Sequence, residues 1–151
     1  MIKSNWQKIL IIAVLLAGGF WLVSQTPSLE ENILQINDHG LQVDVVRETR
    51  DMVKGLSGRK SLCSDCGLLF VYPDYQIRTF WMKGMNFPLD IVWLKDEIIV
   101  GFEENMQPFD SSRKISTMVS GEQINLVLEL NAGWIKKNKV KIGDKVLGLD
   151  L

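Results

Sequence analysis

The hydrophobic pattern divides the chain near its start. After Lys3 and Lys8, an uninterrupted apolar run extends from Ile9 to Val23, ILIIAVLLAGGFWLV. A run without any polar face does not read as an amphipathic core helix. It is short beside the roughly 20 residues usual for a bilayer span. Counting Trp6 and a snorkelling Lys8 lengthens it, and Trp6 and Trp21 suit the two interfaces. The pattern predicts contact with the membrane through residues 6–23 within an N-terminal anchor or signal segment, residues 1–25. No small-x-small cleavage site follows Val23, which favours an uncleaved anchor over a signal peptide. In either case the lysines stay cytoplasmic. The expected location is the cell membrane, single-pass with the C-terminal domain outside the cytoplasm, or secretion if the segment is cleaved.

Residues 26–32 form a polar linker, and from residue 33 to 151 the pattern changes to short alternating runs. Ile33–Asn37 and Leu41–Arg47 read as a hairpin about Asp38-His39-Gly40, with His39 at its tip. Thr49–Leu56 reads as a helix capped by Thr49, with Met52, Val53 and Leu56 on one side and Gly58 past its end. Leu68–Tyr72 and Ile77–Met82 follow as strands; in the second, Thr79, Trp81 and Lys83 face one way, Phe80 and Met82 the other. Asp90–Lys95 and Ile98–Glu103 pair across Asp96-Glu97. Asn105–Gln123 reads as a long loop, Ile124–Leu130 as a strand and Gly133–Asn138 as a helical turn. A final hairpin about Gly143-Asp144 is expected to put Val140, Ile142, Leu147 and Leu149 on one face. The sum is a mainly β fold, a compact β-sandwich or small barrel with one or two short helices, preceded by one N-terminal transmembrane or signal helix.

Charge narrows the partners. Setting aside Lys3 and Lys8 leaves 15 of the 17 basic residues against 18 acidic ones, a net of −3. Such a domain has no field that concentrates phosphates, so no nucleic acid is expected. The lysines at 136, 137, 139, 141 and 145 crowd the C-terminal end. They read first as a solvated rim, with anionic lipid or cell-wall polymer as the sharper option.

The stretch FWMKGMNFPLDIVW, Phe80 to Trp93, keeps Lys83 and Asp90 inside an apolar segment that turns a corner at Gly84–Pro88. Together with GLSGR (Gly55–Arg59), CGLLFVYP (Cys66–Pro73), LVLELNAGW (Leu126–Trp134) and IGDKV (Ile142–Val146), it resembles the domain of unknown function 192 family of small, mostly exported prokaryotic proteins. The pieces come in the family's order over residues 41–149. The resemblance implies a compact, mainly β domain, often behind a membrane segment, and it implies no activity. Gly84-Met85 stands where asparagine-threonine is more usual in that family, and Cys63 and Cys66 stand where many members have ordinary loop residues.

Outside the cytoplasm, the Cys63/Cys66 pair reads first as a local structural disulfide. A redox-active pair would need a helix N-terminus after the first cysteine, where a strand follows. Zinc would need four ligands from two cysteines and the distant His39. No metal or cofactor is therefore indicated, although a metal held through dimerisation or carboxylates is the remaining reading. Buried charges come in partners. Lys83, Asp90, Arg59 and Glu129 are thus either an architectural network or a cleft that holds an envelope glycan or an anionic small molecule against Trp81. The function expected is a binding or accessory module of the cell envelope. The alternatives are an enzyme acting on envelope polysaccharide through Asp90 or Glu129 and a purely structural envelope protein.

Overall fold

The computed structural model describes residues 32–109 and 117–149. The apolar run at 9–23 and most of the linker lie outside the described residues. Among the described residues, no helix is long and apolar enough to cross a membrane. The chain from Glu31 onward forms one compact unit.

Among the described residues there are nine strands and two short helices: β1 Ile33–Ile36, β2 His39–Val46, α1 Thr49–Lys54, β3 Cys66–Gln76, β4 Thr79–Trp81, β5 Leu89–Lys95, β6 Ile98–Met106, β7 Thr117–Val119, β8 Ile124–Asn131, α2 Trp134–Lys137 and β9 Val146–Leu147. Seven strands join in one sheet of order β6-β5-β8-β3-β2-β1-β9. It curls into a half-barrel whose edges are stitched at one end, where Ile98 bridges Lys145 and the Val146 N–H donates to the Glu97 carbonyl at 2.8 Å. The fold is therefore mainly β with two short helices. One curled sheet dominates it, and the second sheet is only the pair β4–β7.

The central strands explain their own sequences. β3, β5 and β8 are buried on both faces, so LLFV, LDIVWL and LVLEL read as nearly continuous apolar runs without a clean alternation. On the inner side, Leu69, Val92, Leu94, Leu126 and Leu128 pack with Leu34, Leu41, Trp134 and Ile135. On the outer side, Leu68, Phe70, Ile91, Trp93 and Val127 are covered by Leu56, Met82, Met85 and Met118. These covering residues come from the segment around α1 and from the β4–β7 excursion.

Several local expectations shift. The first turn is Asn37-Asp38, with Asn37 at φ 54, which asparagine tolerates; His39 is the first residue of β2, opposite Ile36. Glu48, rather than Thr49, precedes the first helical residue of α1. The expected Asn105–Gln123 loop contains the end of β6 and all of β7, whose Met118 sits opposite Phe80. The C-terminal hairpin face is a correction: Ile142 is 66 % exposed and Leu147 also points outward, while Val146 is fully buried. The reason is pairing. β9 pairs with β1, Ile36 opposite Val146, instead of folding back on Lys139–Ile142.

Candidate functional site

A cavity of about 480 Å³ opens on the outer face of the sheet. One wall is the chain from Arg47 to Ser57, including α1; the other runs from Tyr72 to Trp81; Phe70 and Glu129 form its floor. The α1 wall stands close because the helix ends at Gly55, φ 49, where a side chain would be strained. A Cβ there would lie 3.5 Å from the Phe70 ring and 3.8 Å from Glu129 Oε2. Phe80 links the opposite wall to the core, edge-on to Phe70 at 5.1 Å and to Trp93 at 5.5 Å between centroids. Trp81, its neighbour on β4, faces the other way and is 52 % exposed at the cavity mouth.

Glu129 is the unusual group. On β8 it stands between Leu68 of β3 and Ile91 of β5, and it is buried. Its Oε2 has no hydrogen-bond partner among the described residues. Burial pushes its carboxyl up to about 8, only partly opposed by the Arg59 guanidinium. At neutral pH the group is a protonated acid and can donate.

Arg78 supplies a second unmatched group. Its guanidinium lies over the Tyr72 ring, 3.9 Å from the centroid, and pairs with the Asp74 carboxylate. The Asp74 carbonyl also accepts from its Nη2 at 3.1 Å. Its backbone is held to Ser120 by reciprocal bonds of 3.0 Å. Nε nevertheless remains buried without a partner among the described residues. Burial also pushes the Tyr72 phenol up, against the pull of Arg78.

The residues singled out in the sequence are separated by the fold. Trp81 and Glu129 line the cavity. Arg59 lies outside the lining, where Nη2 pairs with Asp44 at 2.8 Å, yet its charge reaches Glu129. Lys83 is exposed; among the described residues only its carbonyl is engaged, accepting from Ser57 Oγ at 3.1 Å. Asp90 is fully buried beside α2, where it accepts the N–H groups of Asn105 at 2.8 Å and Ile135 at 2.9 Å. Lys83 and Asp90 therefore do not pair: β4 and β5 belong to different sheets and form no hairpin. Arg78, Tyr72 and Gly55 were not singled out from the sequence. Only β4's isolation from the main sheet makes Arg78 part of a wall, and no periodic signal announces that.

Cys63 and Cys66 are joined in a disulfide at the start of β3, whose first residue is Cys66. Asn131 Nδ2 donates to the Cys63 carbonyl at 2.6 Å and Trp134 Nε1 donates to Asp65 at 3.3 Å, docking this loop on the end of β8. Among the described residues no cluster of His, Cys, Asp and Glu could hold a metal ion. Of the crowded lysines, Lys145 pairs with Glu97 at 2.6 Å; Lys136, Lys137, Lys139 and Lys141 are exposed.

Comparison with known proteins bears on the frame rather than on the chemistry. A solved structure from Sinorhizobium meliloti 1021, provisionally described as a transcription regulator, is 30 % identical with a TM-score of 0.69, covering 78 % of this chain and 92 % of that one. A protein of unknown function from Novosphingobium aromaticivorans DSM 12444 is 26 % identical with a TM-score of 0.70, covering 76 % and 82 %. No curated protein matches. The family model described as an uncharacterised ACR matches residues 32–148, spanning both cavity walls and every strand of the sheet. The chain belongs to the domain of unknown function 192 (DUF192) family.

Proposed function

We propose that this domain is a small-molecule-binding module, tethered to the membrane and facing away from the cytoplasm, whose ligand enters the cavity above Glu129. One observation carries the reading. A buried carboxyl oxygen without a partner costs on the order of 1–3 kcal/mol, and here that oxygen belongs to the floor of an open cavity. A ligand would supply the missing partner. The aromatic surface of Trp81 and Phe80 supports the same reading, as a platform for a sugar face or an apolar body. The tether rests on the apolar run at 9–23, and an envelope glycan or an anionic small molecule is the ligand range this location favours.

Glu129 also supports a second reading. An acid raised to about 8 is suited to general-acid catalysis near neutral pH. On that reading Glu129 would protonate a leaving oxygen of an envelope polysaccharide. Asp90 is a poor second acid, because both its oxygens are occupied by backbone N–H groups. A DNA-binding role, by analogy with the description of the Sinorhizobium protein, finds no support in a net charge of −3 outside the N-terminal segment.

The test is a thermal-shift screen of the full chain against sugars, organic acids and phosphates, repeated with Trp81→Ala. At least one class should raise the wild-type midpoint and fail to do so in the variant. A screen in which no class acts through Trp81 overturns the binding reading. Recovery of the active compound unchanged favours the module, and its conversion favours the enzyme.

A further inference from the structure

Both unmatched groups of the cavity are able to donate. Arg78 Nε–H can only donate, because a guanidinium has no acceptor. The Glu129 carboxyl keeps its proton below about pH 8 and so has an O–H to give. The charges on the rim also lean one way. Asp74 is taken by Arg78, whereas Arg47 and Lys54 line the cavity without an ion pair among the described residues. Much of the remaining lining is apolar, with Met52, Leu56, Phe80 and Met85 prominent. Donors and uncompensated cations on an apolar wall match a ligand that accepts, is negative and has an apolar body. A polyhydroxylated sugar fits less well, since each of its hydroxyls brings a donor that needs an acceptor.

Resting on the binding reading above, we infer that the cavity receives a small organic carboxylate with an apolar body, its oxygens accepting from Arg78 and Glu129. The carboxylate is an acceptor-only group and forms charge-assisted bonds with a guanidinium. The apolar body lies between α1 and β4.

Binding then depends on pH in a defined direction. The charged or titratable groups around Glu129 are Arg59 after α1, Tyr72 and Asp74 on β3, Arg78 before β4, and Arg47 and Lys54 on the α1 wall. Tyr72, whose titration is pushed up from an already high value, keeps its proton through this range. As the pH passes about 8, Glu129 loses its donor proton and adds a negative charge beside the anion. Affinity for the carboxylate therefore falls.

The experiment uses the full chain carrying ¹³C-methyl methionine. Met52 and Met85 line the cavity, whereas Met106 and Met118 do not. Phenylacetate and hexanoate are titrated beside their neutral amides, below and above pH 8. The carboxylates should shift the Met52 and Met85 methyls selectively, with the amides about tenfold weaker. Carboxylate affinity should fall on the alkaline side, and Glu129→Gln, which stays neutral, should abolish that fall. Amides binding as tightly as the acids would overturn the carboxylate class and leave the binding reading standing. So would an alkaline fall that survives in Glu129→Gln. Should no probe move Met52 and Met85 beyond the other methionines, both readings fail.

Discussion

Asp90 on β5 accepts the backbone N–H of Ile135 at 2.9 Å, and so a carboxylate from the sheet terminates the start of α2. Its other oxygen accepts the Asn105 N–H at 2.8 Å. Asp90 is fully buried, so both bonds form away from water. Replacement by alanine leaves two backbone donors unmatched, at about 1–3 kcal/mol each. Asp90→Ala should lower the stability measured by urea unfolding by about 2–5 kcal/mol while the ligand-induced shifts at Met52 and Met85 survive in whatever fraction folds. A loss under about 1 kcal/mol would show that Asp90 does not hold this corner.

Glu129 should make stability depend on pH. Its folded carboxyl titrates at about 8 against 4.5 for the unperturbed group, so the folded state holds the proton more tightly than the unfolded chain. Unfolding therefore releases a proton between these values. Stability falls as the pH rises through this window, by up to about 1.4 kcal/mol per unit from this group, and levels off above it. Glu129→Gln should remove this component. Urea midpoints measured across the window should converge at the acid end and diverge toward the alkaline end. Parallel curves for the two proteins would contradict the assignment.

Arg59 and Lys83 should behave differently although both are exposed cations near the same corner. The Arg59–Asp44 pair is solvated, so Arg59→Met should cost no more than about 1 kcal/mol. Removing its charge should nevertheless raise the Glu129 titration further, because Arg59 is the charge that opposes its burial. Lys83 has no ion pair among the described residues, so Lys83→Met should change stability by at most about 0.5 kcal/mol. Carboxyl ¹³C titration of Glu129 in the Arg59 variant checks the coupling, and an unmoved midpoint would refute it.

Removing the disulfide should have a small effect. The Cys63–Cys66 loop is very short, and chain entropy then gives about 2 kcal/mol at most. Asn131 and Trp134 hold the same loop by hydrogen bonds. The double variant Cys63→Ser with Cys66→Ser should stay folded and lose no more than that in urea unfolding. Failure to fold would mean that the pair does more than pin a docked loop.

What was readable in the sequence follows the range of the forces involved. The hairpin of β1 with β2 and the pairing of β5 with β6 are local, and turn residues beside alternating runs announce them. The facing of Trp81 away from Phe80 follows from strand periodicity alone. β7 escaped notice because three residues paired to a distant strand leave no periodic trace. The C-terminal facing was misread because β9 takes its register from β1, on the far side of the chain. At the site, Glu129 was legible as a charge that needs a partner and Trp81 as an aromatic platform beside polar groups. Arg78 did not: an arginine among Asp74, Tyr75 and Gln76 looks like ordinary surface until the fold lays it over Tyr72. Gly84 is a different case. Its φ of 76 suits glycine and is tolerated by asparagine, the residue that the family resemblance led one to expect there.

The cavity lies on the outer face of the seven-stranded ladder: one wall is a detour, the crossover of residues 47–65 between parallel β2 and β3, and the other continues from the end of β3 into the β4–β7 detour. Most of the cavity's lining thereby comes from outside the ladder, while Phe70 and Glu129 of its floor belong to the ladder itself. On the proposed binding role, exchanging residues in the detours would alter the lining while the framework stays intact. A search for selectivity among such proteins should begin with the detours.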